Sequence, residues 1–150
     1  MGLGDGDWFV CTVVLATLLG AHALIDAICT VATLFPNLRW SWFRSIYPSV
    51  FKHSHVRDDD LTCRLLIYAV AAMGVVRLAA AVMPFNPALM LLAAAMYVLE
   101  GLMCLYELDT ACTANYAVGR TGALSALAMA VATGIYACVS YILAPQAGAQ

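Results

Sequence analysis

Six ionisable residues that could take part in acid–base or proton-transfer chemistry lie inside long apolar segments: His22, Asp26, Arg64, Arg77, Glu100 and Glu107. Ionisable groups are costly within a membrane, so each of them calls for a specific role. His22 and Asp26 are four residues apart, a spacing that places both on one face of a helix. General acid–base catalysis needs paired titratable groups beside a pocket. Because His22 and Glu100 fall close to the middle of their segments, they are the pair that could serve such chemistry.

A structural role fits the same residues better. Their depths along the segments predict two layers of ion pairs: Arg64 with Glu107 or Asp26, and Arg77 with Glu100 and His22. We therefore expect these pairs to specify how the helices fit together, and we predict no catalytic residues. An enzyme or proton-coupled transporter built on His22, Asp26 and Glu100 stays open as an alternative of another class.

Composition identifies the elements that must position these side chains. The chain has 150 residues, of which 64% are hydrophobic and 11% charged. Soluble domains contain about 45–50% apolar and about 25% charged residues, so a soluble domain is excluded. The net charge of −2 lacks the basic surplus of a nucleic-acid-binding protein. The composition indicates a small polytopic membrane protein.

Four apolar stretches are long enough to cross a bilayer, which takes about 20 helical residues. They cover residues 8–35, 61–83, 88–108 and 122–143, and Pro84 and Pro87 form a turn between the second and the third. We predict an all-α polytopic membrane protein, with four transmembrane helices in a bundle and a single domain over residues 1–150. The first stretch lacks the basic leader of a signal peptide and is too long for one, so we expect it to be retained.

Basic residues predict the orientation of the spans. Four of them lie in the first loop, residues 36–60, and Arg120 lies between the third and fourth spans. By the positive-inside rule these two loops face the cytoplasm or the mitochondrial matrix. Both termini are then expected on the opposite side, in the lumen or the intermembrane space.

The first loop also carries aromatic residues among its basic ones. This cluster contains Arg39, Trp40, Trp42, Arg44, Lys52 and Arg57. Aromatic rings prefer the headgroup level and basic side chains attract anionic lipid, so we predict an interfacial loop. It could hold a phospholipid headgroup such as that of cardiolipin, or dock a partner protein. We predict no other cofactor and no metal site, because two histidines, His53 and His55, in a polar loop are weak evidence for one.

The fourth stretch carries small residues at intervals of four: Gly122, Ala126, Ala130 and Gly134. Faces of this kind let helix backbones approach closely. The ladder is therefore expected to be a helix-packing face, either within the bundle or against a partner.

The second and third stretches contain the series Arg64-x12-Arg77-x8-Asn86-x2-Leu89-x17-Glu107. In order, spacing and residue type the series resembles the ergosterol biosynthetic protein twenty-eight family, a family of small four-span membrane proteins. The resemblance covers about residues 63–108, with weaker similarity at residues 19–24. It implies a non-enzymatic scaffold of the endoplasmic reticulum that tethers the sterol C-4 demethylation enzymes. It also implies structural or interaction roles for Arg64, Arg77, Asn86 and Glu107.

A second kind of complex fits the sequence as well. A basic loop facing the matrix suits a supernumerary subunit of a mitochondrial inner-membrane respiratory or ATP-synthase complex. The endoplasmic reticulum and the mitochondrial inner membrane therefore both stay open. In either case the predicted partners are other membrane proteins and membrane lipid, and no nucleic acid.

Overall fold

The protein is all-helical over the residues that its structure describes. The computed structural model describes residues 5–34, 61–109 and 116–143, with the side chains of 6–31, 67–106 and 120–142. These residues form four α-helices: α1 Asp5–Leu34, α2 Leu61–Val82, α3 Pro87–Asp109 and α4 Tyr116–Leu143. The all-α prediction is confirmed. The predicted interfacial loop at residues 36–60 lies outside the described residues.

Three stretches within the described helices are long and apolar enough to span a membrane. They are Gly6–Val31 in α1, Pro87–Tyr106 in α3 and Arg120–Ile142 in α4. The apolar stretch of α2, Ile67–Val82, is shorter than the about 20 residues that a span requires. Three helices could therefore cross a bilayer by length and composition.

Large apolar side chains stay exposed along all four helices. Examples from each helix in turn are Val10, Leu24, Val75, Leu78, Leu99, Leu102, Leu124 and Val131. Burying such side chains in a soluble protein stabilises it by about 1.5–3 kcal/mol each. Leaving so many of them outside is typical of helices whose surroundings are apolar.

The helices pack mainly as two pairs, α1 with α2 and α3 with α4, and α2 packs less extensively on α3. The apolar core includes Leu19 from α1, Ala80 from α2, Met90 and Tyr97 from α3, and Ala130 from α4. This core lies between the two pairs, so any polar side chain that enters it is shared among several helices.

The close pairing of α3 with α4 depends on small residues, but the packing face differs from the predicted ladder. Besides Tyr136, which contacts Thr12 of α1, the buried residues of α4 are Ala123, Ala126, Ala130, Thr133, Ala137 and Ser140. These alternate at intervals of three and four, the spacing that keeps residues on one seam of packed helices. A strict interval of four advances about 40° beyond a full turn at every step, because a turn takes 3.6 residues.

The ladder of four therefore rotates away from α3 along its length. At its first member, Gly122, an added Cβ would lie 3.7 Å from the Cys104 sulfur of α3. At its last member, Gly134, an added Cβ would meet no atom within 4 Å. Ala126 and Ala130 are buried, whereas Gly134 makes no close contact on this side of the helix.

The turn between α2 and α3 is closed by Asn86. The Asn86 backbone N–H donates to the Met83 carbonyl at 3.0 Å. The Asn86 side-chain Oδ1 accepts from the backbone N–H groups of Ala88 and Leu89, at 3.1 and 3.3 Å. Pro87 occupies the first helical position, where its missing N–H costs nothing. Asn86 is thus the N-cap of α3, a structural role at an exposed turn.

Replacing Asn86 with Ala is expected to lower the free energy of unfolding by about 1 kcal/mol, the typical effect of losing an N-cap. Asn86→Asp keeps an acceptor at the same place and should retain most of the wild-type stability. The measurement is the unfolding midpoint in mild detergent titrated with a denaturing detergent. Equal midpoints for the wild type and Asn86→Ala would contradict this role.

The two helix pairs are also joined near this turn, by α1 and α4. The rings of Trp8 and Tyr136 stack at 4.8 Å between centroids. The Thr12 hydroxyl donates to the Trp8 carbonyl, so the Tyr136 hydroxyl donates to Thr12, at 2.9 Å. This contact holds one end of the bundle closed.

Candidate functional site

Arg77 is the centre of a polar cluster inside the bundle. Its side chain is only 2% exposed. Nη1 donates to Oδ2 of Asp26 in α1 at 2.6 Å, and Nη2 donates to Oε2 of Glu100 in α3. The planar guanidinium presents its donors as a rigid fork, so one side chain can hold two carboxylates. Arg77 thereby ties α1, α2 and α3 together.

Tyr97 completes the cluster from α3. The Arg77 Cζ atom lies 4.1 Å from the centroid of the Tyr97 ring, a cation–π contact. The Tyr97 hydroxyl is 2.6 Å from Nδ1 of His22, whose ring stands edge-on to it. The aromatic ring therefore orients the guanidinium on its face and the imidazole at its edge.

Helical spacing explains why these side chains converge. His22 and Asp26 share a face of α1 at an interval of four, and Tyr97 and Glu100 share a face of α3 at an interval of three. Gly74, one turn before Arg77, lets α1 and α2 approach. A Cβ at Gly74 would lie 2.9 Å from the Asp26 Cβ. The close approach brings the Asp26 carboxylate within reach of Arg77.

The cluster forms the wall of a cavity of about 130 Å³. The residues that line it come from all four helices: His22, Ile25, Asp26, Arg77, Tyr97, Glu100, Ser125 and Ala126. Ile25 and Ser125 are both exposed, so the cavity opens to the outside between α1 and α4. Of the three side chains that form the ion pairs, that of Glu100 is the most exposed, at 38%.

The cluster carries more acceptors and more negative charge than Arg77 satisfies. Asp26 and Glu100 each bind Arg77 through one carboxylate oxygen. At formal charges, with His22 neutral, two carboxylates and one guanidinium leave one net negative charge. Among the described residues, the buried Nε of Arg77 has no hydrogen-bond partner. The cavity therefore presents an excess of carboxylate oxygen.

The structure brings together four of the residues singled out in the sequence, but their pairing differs from the predicted layers. Arg77 contacts Glu100, and it also contacts Asp26, which is one of the two partners that the sequence predicts for Arg64. His22 bonds to Tyr97 and not to Arg77. The physical reason is reach: an Arg side chain is long enough to connect residues that differ in depth by several ångströms.

Other predicted site residues cannot be compared in the same way. The side chains of Arg64 and Glu107 are outside the described residues, so their pairing stays a prediction. The same holds for the lipid-headgroup cluster of the first loop: Arg39, Trp40, Trp42, Arg44, Lys52 and Arg57.

Tyr97 is the site residue that the sequence reasoning missed. Its signal was present, because tyrosines of membrane proteins concentrate at the interfaces and Tyr97 lies near the middle of its apolar stretch. It also precedes Glu100 by three residues, which puts both on one helix face. A mid-span tyrosine beside a mid-span carboxylate indicates a shared polar partner.

The chemistry open to this site is hydrogen bonding and proton exchange. His22, Asp26, Tyr97 and Glu100 can all accept or release protons in one cavity. In residues 5–34, 61–109 and 116–143 no group of three or more His, Cys, Asp or Glu side chains is placed to hold a metal ion.

Comparisons with known proteins identify no relative of this chain. Protein-family models, curated protein sequences and solved structures were all compared with it, and none matches. The resemblance noted in the sequence therefore stays a prediction, and the functional argument depends on the site itself.

Proposed function

We propose that this chain is a non-enzymatic integral-membrane scaffold or accessory subunit, which tethers or stabilises partner proteins in a larger membrane complex. The observation that carries the proposal is the use of Arg77. Its fork is occupied by two carboxylates from neighbouring helices, and its face is covered by Tyr97. A cation held in this way joins helices and is not free to act on a substrate.

The proposal includes α2 as a fourth membrane span. The whole helix, Leu61–Val82, has 22 residues and would be about 33 Å long at 1.5 Å per residue. Arg77, in the last third of this helix, is buried against carboxylates and does not face outward. A paired and buried charge removes the main objection to placing this helix in a bilayer.

The partners follow from the family resemblance. It supports residence in the endoplasmic reticulum beside the sterol C-4 demethylation enzymes, with the basic segment 36–60 on the cytoplasmic side. The alternative is a supernumerary subunit of a mitochondrial respiratory or ATP-synthase complex, with that segment in the matrix. In both settings the segment's basic and aromatic residues would bind anionic phospholipid such as cardiolipin.

Gentle detergent extraction followed by a native gel and mass spectrometry tests the proposal. We expect the chain to migrate with a larger complex that contains sterol C-4 demethylation enzymes. Respiratory or ATP-synthase subunits in the same band would favour the mitochondrial alternative. Migration of the chain by itself, under conditions that keep other membrane complexes intact, would contradict the scaffold.

A second candidate function is favoured by the cavity. A small sterol-modifying enzyme or a proton-coupled transporter could use His22, Asp26 and Glu100, since all three line the same space. The scaffold predicts neither turnover nor proton movement by the purified protein, so either activity would favour this second candidate.

A further inference from the structure

We propose that the cavity between α1 and α4 binds the primary ammonium headgroup of an amphiphile dissolved in the membrane. The inference goes beyond the scaffold function and depends only on the cavity. Its main elements are the carboxylates of Asp26 and Glu100, the hydroxyl of Ser125, and an opening beside Ile25.

Charge is the first argument. The titratable and charged side chains that line the cavity are His22 and Asp26 from α1, Arg77 from α2, and Tyr97 and Glu100 from α3. With His22 and Tyr97 neutral, these sum to one net negative charge. An uncompensated charge within an apolar layer is costly, so the site favours a ligand that brings one positive charge.

Hydrogen bonding is the second argument. An ammonium group has three donors and no acceptor, so it needs three acceptors around it. Arg77 donates to Oδ2 of Asp26 and to Oε2 of Glu100. Within the described part of the chain, the other two carboxylate oxygens, Oδ1 and Oε1, receive no hydrogen bond. The Ser125 hydroxyl donates its proton to the Gly122 carbonyl, which leaves its lone pairs to accept. These oxygens, all on residues that line the cavity, equal in number the three donors of one ammonium group.

Size and access are the third argument. The cavity of about 130 Å³ is close to the about 150 Å³ of an engineered apolar cavity that holds benzene, so it admits a group of a few heavy atoms and not a helix. Ile25, at the rim, is 54% exposed, and Leu24 beside it is 61% exposed. An alkyl chain attached to the bound headgroup would leave the opening along this apolar surface.

The test uses the full chain in nanodiscs of phosphatidylcholine, a lipid whose headgroup is not a primary amine, and empty nanodiscs serve as the blank. Dodecylamine, dodecanol and dodecanoate share one chain length and differ in headgroup charge, and binding is followed by native mass spectrometry. We expect one equivalent of dodecylamine, bound at least about tenfold more tightly than the other two. Hydrogen bonds to charged groups are strong enough to give such a ratio.

Two variants locate the binding. Glu100→Gln is expected to weaken dodecylamine binding by about tenfold or more, since it removes a charged acceptor. Ile25→Trp should block the opening and weaken binding without altering the charges. Leu24→Trp is the matched control, because Leu24 is also exposed, slightly more than Ile25, but does not line the cavity. This variant should bind dodecylamine as the wild type does.

Several results would overturn the proposal. Equal uptake of the three probes would do so, as would undiminished binding by a folded Glu100→Gln protein. If Glu100→Gln does not fold, the comparison of Ile25→Trp with Leu24→Trp decides, and equal binding by these two refutes the site. The wild type could also show no amine binding and an infrared band of a protonated carboxyl that disappears in Glu100→Gln. That result would mean that a proton, and not an ammonium group, neutralises the cluster. None of these results alters the co-migration that tests the scaffold.

Discussion

Replacing Arg77 with Met is expected to lower the free energy of unfolding by about 3–5 kcal/mol. The side chain of Arg77 is 2% exposed and binds carboxylates of α1 and α3. Its loss leaves Asp26 and Glu100 close together without a cation, one of them almost fully buried. Removing one partner of a buried ion pair is strongly destabilising because the remaining charge is uncompensated. The measurement is the unfolding midpoint in detergent, followed by circular dichroism.

Three further variants separate the causes. Arg77→Lys keeps the positive charge but loses the fork, so it should recover only part of the stability. The triple variant Asp26→Asn, Arg77→Met, Glu100→Gln has no charge left to compensate and should be more stable than Arg77→Met alone. Arg120→Met is the matched control, because Arg120 is an exposed cation of α4. If Arg77→Met costs no more than Arg120→Met, the cluster does not stabilise the fold.

Replacing Gly74 with Ala is expected to lower the free energy of unfolding by about 1–3 kcal/mol, the usual cost of overpacking. The new Cβ would lie 2.9 Å from the Asp26 Cβ. That carbon is attached to the α1 backbone and cannot swing aside, so α1 and α2 must separate and the contact between Asp26 and Arg77 must lengthen. In an unobstructed helix the same change is favourable by about 0.8–1 kcal/mol, so a loss of stability is a steric signal.

Gly134→Ala supplies the matched control. Gly134 also lies inside a helix, but an added Cβ there would meet no atom within 4 Å. It should therefore be neutral or stabilising, by up to about 1 kcal/mol. Equal effects of Gly74→Ala and Gly134→Ala on the detergent unfolding midpoint would contradict this account, because they would show that α1 and α2 leave room for a Cβ atom at Gly74.

Helix positions could be predicted from the sequence because long apolar stretches, broken by Pro84 and Pro87, leave few alternatives. The main departure is α4, which begins at Tyr116 and not near Gly122. The apolar stretch is interrupted before Gly122 by Gly119, Arg120 and Thr121, and hydropathy does not show that the helix continues through them to Tyr116.

The packing face of α4 was harder to predict. Small residues occur at both intervals of four and the mixed interval of three and four, so the sequence contains two overlapping ladders. Only burial in the folded bundle distinguishes them, and the buried series includes Ala123, Thr133 and Ala137 and not Gly134. The periodicity of residues within one helix does not show on which side the neighbouring helix packs.

The site was predicted in part for a related reason. Counting residues gives depth along each helix, and depth placed Arg77 near Glu100. It did not place Asp26 in the same cluster, because that contact depends on how closely α1 approaches α2 at Gly74. Nor did it include Tyr97, whose role depends on its ring lying under the guanidinium. The places of Asp26 and Tyr97 in the cluster depend on tertiary geometry and not on residue type.

The central claim is that the Arg77 cluster joins helices and does not carry out chemistry. Its most direct test compares the native-gel migration of the wild type with that of the triple variant Asp26→Asn, Arg77→Met, Glu100→Gln. The two proteins are extracted gently from the same membranes, and the partners in each band are identified by mass spectrometry. The scaffold predicts that the folded triple variant migrates in the same complex with the same partners. A triple variant that folds and keeps its complex, yet loses a turnover or proton movement that the purified wild type performs, would contradict it.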